Sequence, residues 1–150
     1  MSKLFIYFSE TGSGDVVAEK MASLGYEIRK VTPRIKLPKS FFWRVFIGGF
    51  YAGIGIKDKL KDYDADVSAY DEIVVGSPIW NGGLSPAGKG ILAKTKFEGK
   101  EVSFILYSGS GEGPKAVKQI TKAFPEAKIT FLKEPKKYPD ELKKLDPVNE

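Results

Sequence analysis

Short apolar runs alternate with amphipathic helical patterns along most of the chain. Each run is rich in β-branched and aromatic residues, which is typical of strands buried on both faces of a parallel sheet. The runs lie at 4–8, 72–76, 102–107 and 128–132, and residues 25–31 predict a further short strand. Helical spacing of the apolar residues predicts one helix that begins near Ser13 or Gly14 and two more over 86–96 and 114–124. Strands and helices that alternate in this way predict an α/β fold with a mainly parallel sheet.

The length and composition set the size of this fold. A chain of 150 residues with 42% hydrophobic side chains suits one domain of about 100–200 residues with a single core. We therefore take residues 1–150 as one domain. The tail over 134–150 is rich in Lys, Pro and Asp, and it predicts either a short helix around 139–145 or a partly ordered segment.

The segment over 41–57 is strongly apolar. It is slightly shorter than the ~20 residues of a membrane span, and it contains Arg44 and several glycines, so we predict no membrane-spanning helix there. Three interpretations stay open. The segment covers the sheet as a helix and loop, or it forms a homodimer interface or a wall of the cofactor pocket, or it touches a membrane surface with the help of nearby lysines.

The missing residue types exclude several kinds of chemistry. The sequence has no Cys and no His, which rules out thiol nucleophiles, Ser-His-Asp triads and most zinc sites, so we predict no metal and no catalytic side chain. Redox or group-transfer chemistry must then come largely from a bound cofactor. The net charge of +5 is best explained by surplus surface lysine, and we expect no nucleic-acid partner. Because the N-terminus carries no secretory signal pattern, we expect a cytoplasmic protein.

Three loops that follow predicted strands carry the candidate binding residues. In open parallel sheets, ligands bind beyond the carboxyl ends of the strands, where the strand order reverses. The first loop is rich in hydroxyls and glycine and holds no Lys or Arg, so its N–H groups and the helix N-terminus suit a phosphate. The second offers the indole of Trp80 for stacking, and the third offers small residues that let a ligand approach the backbone. The candidate cofactor-binding residues are Ser9, Glu10, Thr11, Gly12, Ser13 and Gly14; Ser77, Pro78, Ile79, Trp80, Asn81, Gly82 and Gly83; and Ser108, Gly109, Ser110 and Gly111.

Each loop also has a purely structural interpretation. Ser13 would cap the first helix, with Asp15 favourable in its first turn. Trp80 would only cover the core, and the third loop would be a flexible connector. The residues of each loop, taken alone, leave both interpretations open.

Taken together, the three loops resemble those of the flavodoxin family. The resemblance covers roughly residues 3–132, and it is carried by Phe8-Ser9-Glu10-Thr11-Gly12-Ser13, by residues 70–82, and by Ser108-Gly109-Ser110-Gly111. It implies a flavodoxin-like three-layer fold, with a five-stranded parallel sheet of order 2-1-3-4-5 and helices on both faces. It also implies non-covalent FMN, a phosphate held by neutral donors, and electron transfer between redox partner proteins, a reductase donor and an acceptor.

Three of the chain's departures from the usual family pattern bear on its function. Gly14 stands where the family usually has a second Thr, no aromatic residue follows Tyr107 in the third loop, and the chain is basic where common members are acidic, which points to acidic partners. Our first interpretation is an FMN-binding, low-potential one-electron carrier rather than an enzyme. The missing aromatic favours an alternative, an FMN-dependent NAD(P)H flavin or quinone reductase of the same fold. Gly14 favours a second alternative, a non-redox binding module that has lost the flavin.

Overall fold

The computed structural model describes residues 2–9, 12–32, 60–61, 63–80 and 82–147. Within these ranges the chain forms six β-strands, three α-helices and one 3-10 helix. In chain order, the elements are β1 (Lys3–Tyr7), α1 (Ser13–Ser23), β2 (Glu27–Lys30), β3 (Glu72–Trp80), β4 (Gly83–Leu84), α2 (Pro86–Lys94), β5 (Glu101–Ser108), α3 (Pro114–Ala123), β6 (Lys128–Lys133) and the 3-10 helix (Pro139–Leu145). The apolar segment over 41–57, and with it the predicted dimer interface, lies outside the described residues.

Five of these strands form a parallel sheet in the order β2-β1-β3-β5-β6. The short strand β4 pairs antiparallel with β3, and without it the order is the predicted 2-1-3-4-5, which is confirmed. The central strands are apolar on both faces, and Phe5, Ile73 and Leu106 are each 0% exposed. The winding direction reverses between β1 and β3, so the loops after these strands flank the crevice where such sheets bind ligands.

Helices cover both faces of the sheet because alternate side chains of each strand point to opposite faces. In β1, Leu4 and Ile6 point to the face that packs against α2 and α3. Phe5 and Tyr7 point to the other face, which packs against α1 and the 3-10 helix. This arrangement confirms the predicted three-layer fold.

One strand is longer than the sequence predicted. The apolar run predicted a strand that ends at residue 76, followed by a loop over 76–86, whereas β3 continues to Trp80. β4 then pairs with it through Ile79 with Leu84 and Trp80 with Gly83. Gly82 has φ +78°, a left-handed conformation that glycine adopts easily and that tight hairpin turns favour. The predicted second loop is therefore mostly a β-hairpin.

The remaining elements lie close to their predicted bounds. α1 begins at Ser13, one of the two predicted starts, but its N-cap is Gly12 and not Ser13. The 3-10 helix occupies the part of the tail where a short helix was predicted. Its Leu142 and Leu145 pack against the core beside α1. Among the described helices, none is both long and apolar enough to cross a membrane.

Candidate functional site

The loops after β1, β3 and β5 meet at one edge of the sheet. The register pairs Tyr7 with Gly76 and Pro78 with Tyr107, so the three strands reach this edge together. The Phe8 ring lies edge-on to the Trp80 indole, with 6.3 Å between ring centroids and 76° between planes. The structure thus brings together the described parts of the three predicted loops. Three of the predicted residues lie outside the described ones: Glu10, Thr11 and Asn81.

The first loop, residues 9–14, is organised around the hydroxyl of Ser9. Its Oγ accepts hydrogen bonds from the backbone N–H groups of Gly12 (3.1 Å) and Gly14 (3.0 Å). Gly12 has φ +99°, and the half-buried Ser13 that follows begins α1. The loop therefore places converging N–H donors and a hydroxyl at the positive end of a helix. Such donors suit a phosphate group, which would have to replace Ser9 Oγ as the acceptor of the two N–H groups.

The backbone at Gly14 lies so close to the buried Tyr107 that it leaves no room for a side chain. A Cβ built on Gly14 would lie 2.6 Å from the hydroxyl oxygen of Tyr107 and 3.0 Å from the carbonyl oxygen of Phe8. The Tyr107 hydroxyl donates to that same carbonyl. Complete burial raises the pKa of Tyr107 well above its usual range, so the hydroxyl keeps its proton and remains a donor. A threonine at position 14 would collide with this tyrosine, so the glycine by itself does not indicate a failed phosphate loop.

A hydrogen-bonded cluster holds the first turn of α1 against β1 and β2. Asp15 accepts a hydrogen bond from the Tyr7 hydroxyl (2.7 Å) and another from the Lys30 ammonium (2.9 Å). The Tyr7 hydrogen bond, followed by the Lys30 hydrogen bond and charge, lowers the pKa of Asp15, although burial acts in the opposite direction. Burial, and then Asp15, raises the pKa of Tyr7. The cluster ties the start of α1 to two strands and so helps to fix the first loop.

A lysine that the sequence analysis missed lies beside the first loop. A Cβ built on Gly12 would lie 3.1 Å from the ammonium nitrogen of Lys136, in the turn after β6. The positive charge of Lys136 also contributes to the lowered pKa of Asp15. The sequence predicted a phosphate held by neutral donors alone, whereas the structure places a positive charge beside this loop. Which groups hold the phosphate stays a prediction. No local pattern could have found Lys136, because more than one hundred residues separate it from Gly12 in the chain.

The hairpin of β3 and β4 divides the predicted residues of the second loop into two groups. Pro78, Ile79 and Trp80 are half-buried at the sheet edge, and a Cβ built on Gly82 would meet no atom within 4 Å. Gly83 is buried, and a Cβ there would lie 3.3 Å from Gln119 of α3. The first group leaves a half-exposed indole and an open turn beside the first loop.

Ser77 is buried beneath this hairpin. It is 0% exposed, and its hydroxyl bonds to that of Ser85 at 3.0 Å. Ser85 caps α2 by accepting a hydrogen bond from the Gly88 N–H at 3.1 Å. A Cβ on Gly88 would lie only 2.6 Å from Ser77 Oγ, so Ser77 packs against the start of α2 in this arrangement.

The third loop, residues 108–113, is closed by its own serines. Ser108 Oγ accepts from the N–H groups of Gly111 (2.9 Å) and Glu112 (3.1 Å). Ser110 Oγ accepts a longer bond from the N–H of Glu112, at 3.3 Å. Gly109 and Ser110 are exposed. The loop is therefore a polar rim at the same sheet edge, and residues 108–113 include no aromatic side chain.

Comparison with known proteins identifies the family. The family model described as NADPH-dependent FMN reductase matches residues 11–136. A candidate flavoprotein from Bacteroides eggerthii has a similar fold, with a TM-score of 0.70 and 20% identity over 86% of this chain and 84% of that one. A flavoprotein from Lactobacillus acidophilus, solved in complex with FMN, has a TM-score of 0.67 and 21% identity over 85% of this chain and 89% of that one. No curated protein matches the chain in sequence.

The chain belongs to the NADPH-dependent FMN reductase family. It is an FMN-binding flavoprotein of flavodoxin-like fold, which confirms the resemblance and the cofactor predicted from the sequence. The described residues fit this cofactor, because N–H donors, a hydroxyl and an ammonium surround one end of the site and an indole lies at the other. The roles of the individual predicted residues stay predictions.

Proposed function

We propose that the protein is an FMN-dependent NADPH oxidoreductase that acts as a flavin or quinone reductase. The observation that carries this proposal is the family match, which spans most of the first loop, the hairpin, the third loop and Lys136. Bound FMN would supply the redox chemistry: a hydride from NADPH, which would leave as NADP⁺, and one proton from solvent would together provide the two electrons and two protons that a quinone requires. The protein contributes binding, orientation and access.

The residues of this chain have separate parts in that proposal. The first loop would hold the phosphate at the N-terminus of α1, where the N–H groups of Gly12 and Gly14 would exchange their hydrogen bonds to Ser9 Oγ for bonds to phosphate oxygens. Trp80 flanks the flat ring from the hairpin. Ser108 to Gly113 present small residues and backbone groups at the ring edge, and they place no aromatic side chain over the ring. A ring face that this loop leaves uncovered gives a nicotinamide room to stack.

The electron carrier that was our first interpretation is the competing function. The same loops would hold FMN in a carrier. The difference lies in whether NADPH reduces the bound flavin directly or a partner protein must do so. The homodimer through residues 41–57, which lie outside the described residues, stays a prediction. The acidic redox partners, inferred from the net positive charge, also stay a prediction.

The test is anaerobic mixing of the FMN-loaded protein with NADPH, followed by addition of a quinone. We expect loss of NADPH absorbance and bleaching of the flavin at a rate that rises with protein concentration, and recovery of the flavin spectrum with the quinone. Free FMN at the same concentration is the control. A flavin that dithionite reduces but NADPH does not would favour the carrier. A protein that binds no FMN would contradict both functions.

A further inference from the structure

We propose that Lys136 determines the specificity for the phosphate of the cofactor, so that it selects FMN over the same flavin without phosphate. The inference rests on the proposed binding of FMN at the first loop. It replaces the sequence-based expectation of a phosphate held by neutral donors alone with a site in which one ammonium group neutralises part of the phosphate charge.

The position of Lys136 is the first argument. Its Nζ would lie 3.1 Å, and its side-chain Cδ 3.3 Å, from a Cβ built on Gly12. Gly12 is the N-cap of α1, so the ammonium lies at the positive end of the helix dipole. The Asp15 carboxylate in the first turn of α1 is one anion whose charge interacts with Lys136. A phosphate ester, with a charge of about −1.5 to −2 at neutral pH, would be attracted by this ammonium and by the helix N-terminus together.

The turn that carries Lys136 is the second argument, because it is anchored on the same sheet edge. The Glu134 N–H donates to the Ser108 carbonyl at 3.0 Å. The N–H groups of Lys137 and Tyr138 both donate to the Glu134 carbonyl, at 2.8 and 2.9 Å. These bonds close a tight turn after β6, so the backbone of Lys136 is fixed against β5 rather than left to sample many positions.

The neighbouring lysines give the third argument by contrast. The ammonium groups of Lys133 and Lys137 lie over the ring of Tyr138, at 5.6 and 5.5 Å from its centroid. Lys136 extends instead to the first loop, where its charge acts on Asp15. Lys137 is therefore a matched control: it has the same side chain and lies in the same turn, but its ammonium has a different environment.

The experiment measures dissociation constants for FMN and for riboflavin by quenching of flavin fluorescence, with wild type, Lys136→Gln, Lys136→Arg and Lys137→Gln. We expect Lys136→Gln to weaken FMN binding about 5- to 50-fold, as for loss of a partly exposed charge-assisted contact. Riboflavin binding changes less than about twofold, Lys137→Gln behaves as wild type, and Lys136→Arg keeps most of the affinity for FMN. The effect on FMN becomes smaller at high salt, since screening weakens the ammonium–phosphate attraction.

Two results separate the failure of this inference from the failure of the proposed function. Wild type that prefers FMN to riboflavin, with the same preference in Lys136→Gln, would overturn the role of Lys136 and leave the FMN site intact. Equal loss of FMN and riboflavin would also overturn it, since the variant would then have changed the whole pocket. Wild type that binds neither flavin would contradict the proposed function and this inference together.

Discussion

The first and third loops use the same local device in different surroundings. In each, a serine that follows or ends a strand accepts two backbone N–H groups from the residues ahead: Ser9 from Gly12 and Gly14, and Ser108 from Gly111 and Glu112. The first loop rests on the buried Tyr107 and borders Lys136. The third loop has exposed residues at its tip.

The comparison shows that the same type of turn occurs in two loops with different surroundings and different expected roles. The serine hydroxyl organises the backbone in both loops, so it cannot by itself mark a phosphate site. Both loops lead into the N-terminus of a helix. What distinguishes the first loop is the buried Tyr107 hydroxyl below it and the Lys136 ammonium beside it. A fixed array of donors suits a small, highly charged group such as a phosphate. An exposed loop suits the polar edge of the flavin ring, to which backbone groups can bond in several arrangements.

The largest expected effect comes from adding one methyl group to the first loop. Gly14→Ala places a Cβ 2.6 Å from the Tyr107 hydroxyl, and such overpacking costs about 1–3 kcal/mol of unfolding free energy. The displaced loop should also lose at least about tenfold in FMN affinity, since 1.4 kcal/mol corresponds to a factor of ten. Urea unfolding and flavin quenching measure the two effects.

Gly109→Ala is the matched control for that substitution. A Cβ on Gly109 would meet only Glu134 Oε1, at an ordinary 3.5 Å, so the unfolding free energy should change by less than about 0.5 kcal/mol. Equal costs in the two loops would contradict the view that Tyr107 makes the first loop rigid.

The hairpin between the two loops offers the next test. Trp80→Ala removes the half-buried indole that borders Phe8, and we expect FMN and riboflavin to bind more weakly by about 1–3 kcal/mol each, from lost burial and stacking. Trp80→Phe should lose less. If Trp80→Ala leaves both affinities unchanged, the indole does not touch the ring.

Removal of one hydroxyl tests the support beneath the first loop. Tyr107→Phe leaves the buried Phe8 carbonyl without this donor, which should cost about 1–2 kcal/mol in the unfolding free energy near pH 8. The raised pKa of Tyr107 adds a pH dependence. The unfolded chain loses this phenolic proton above about pH 10 while the folded chain keeps it, so this part of the stability falls as the pH rises. The cost of Tyr107→Phe should therefore be smaller near pH 11, and an equal or larger cost there would argue against a buried, protonated hydroxyl.

The smallest effects come from the two serines. Ser9→Ala should cost about 1 kcal/mol in stability and Ser108→Ala about half of that, because water replaces a lost acceptor more easily in the exposed loop. The ratio of FMN to riboflavin affinity separates them further. It should fall in Ser9→Ala and stay constant in Ser108→Ala. A similar fall in both would place the phosphate between the loops rather than in the first one.

The sheet and its loops could be predicted because their signals are local. Continuous apolar runs such as 72–76 and 102–107 mark buried parallel strands wherever they occur, and the Gly-rich breaks after them mark loops at the carboxyl edge. The strand order came from the resemblance of those loops to a known family. The hairpin was missed because Pro78 and Gly82 to Gly83 are typical of a loop, although β3 continues through this region.

The parts of the site that could not be predicted depend on contacts between distant residues. Tyr107 supports a carbonyl 99 positions earlier in the chain, and Lys136 reaches the first loop from beyond β6. Side-chain spacing carries no signal for such pairs. Gly14 illustrates the consequence. From the sequence, the glycine suggested a missing phosphate contact, whereas the structure shows that a side chain at this position would collide with Tyr107.

The most direct test of the central claim is an amide NMR titration of the protein with FMN and, separately, with riboflavin. Both ligands should shift the amides of Trp80, Gly82 and the third loop, and FMN alone should strongly shift those of Gly12, Ser13 and Gly14. Amides at the opposite edge of the sheet, such as Glu72, Glu101 and Lys128, should stay unchanged. Shifts from FMN that concentrate at that opposite edge, or that leave Gly12 to Gly14 in place, would contradict the account.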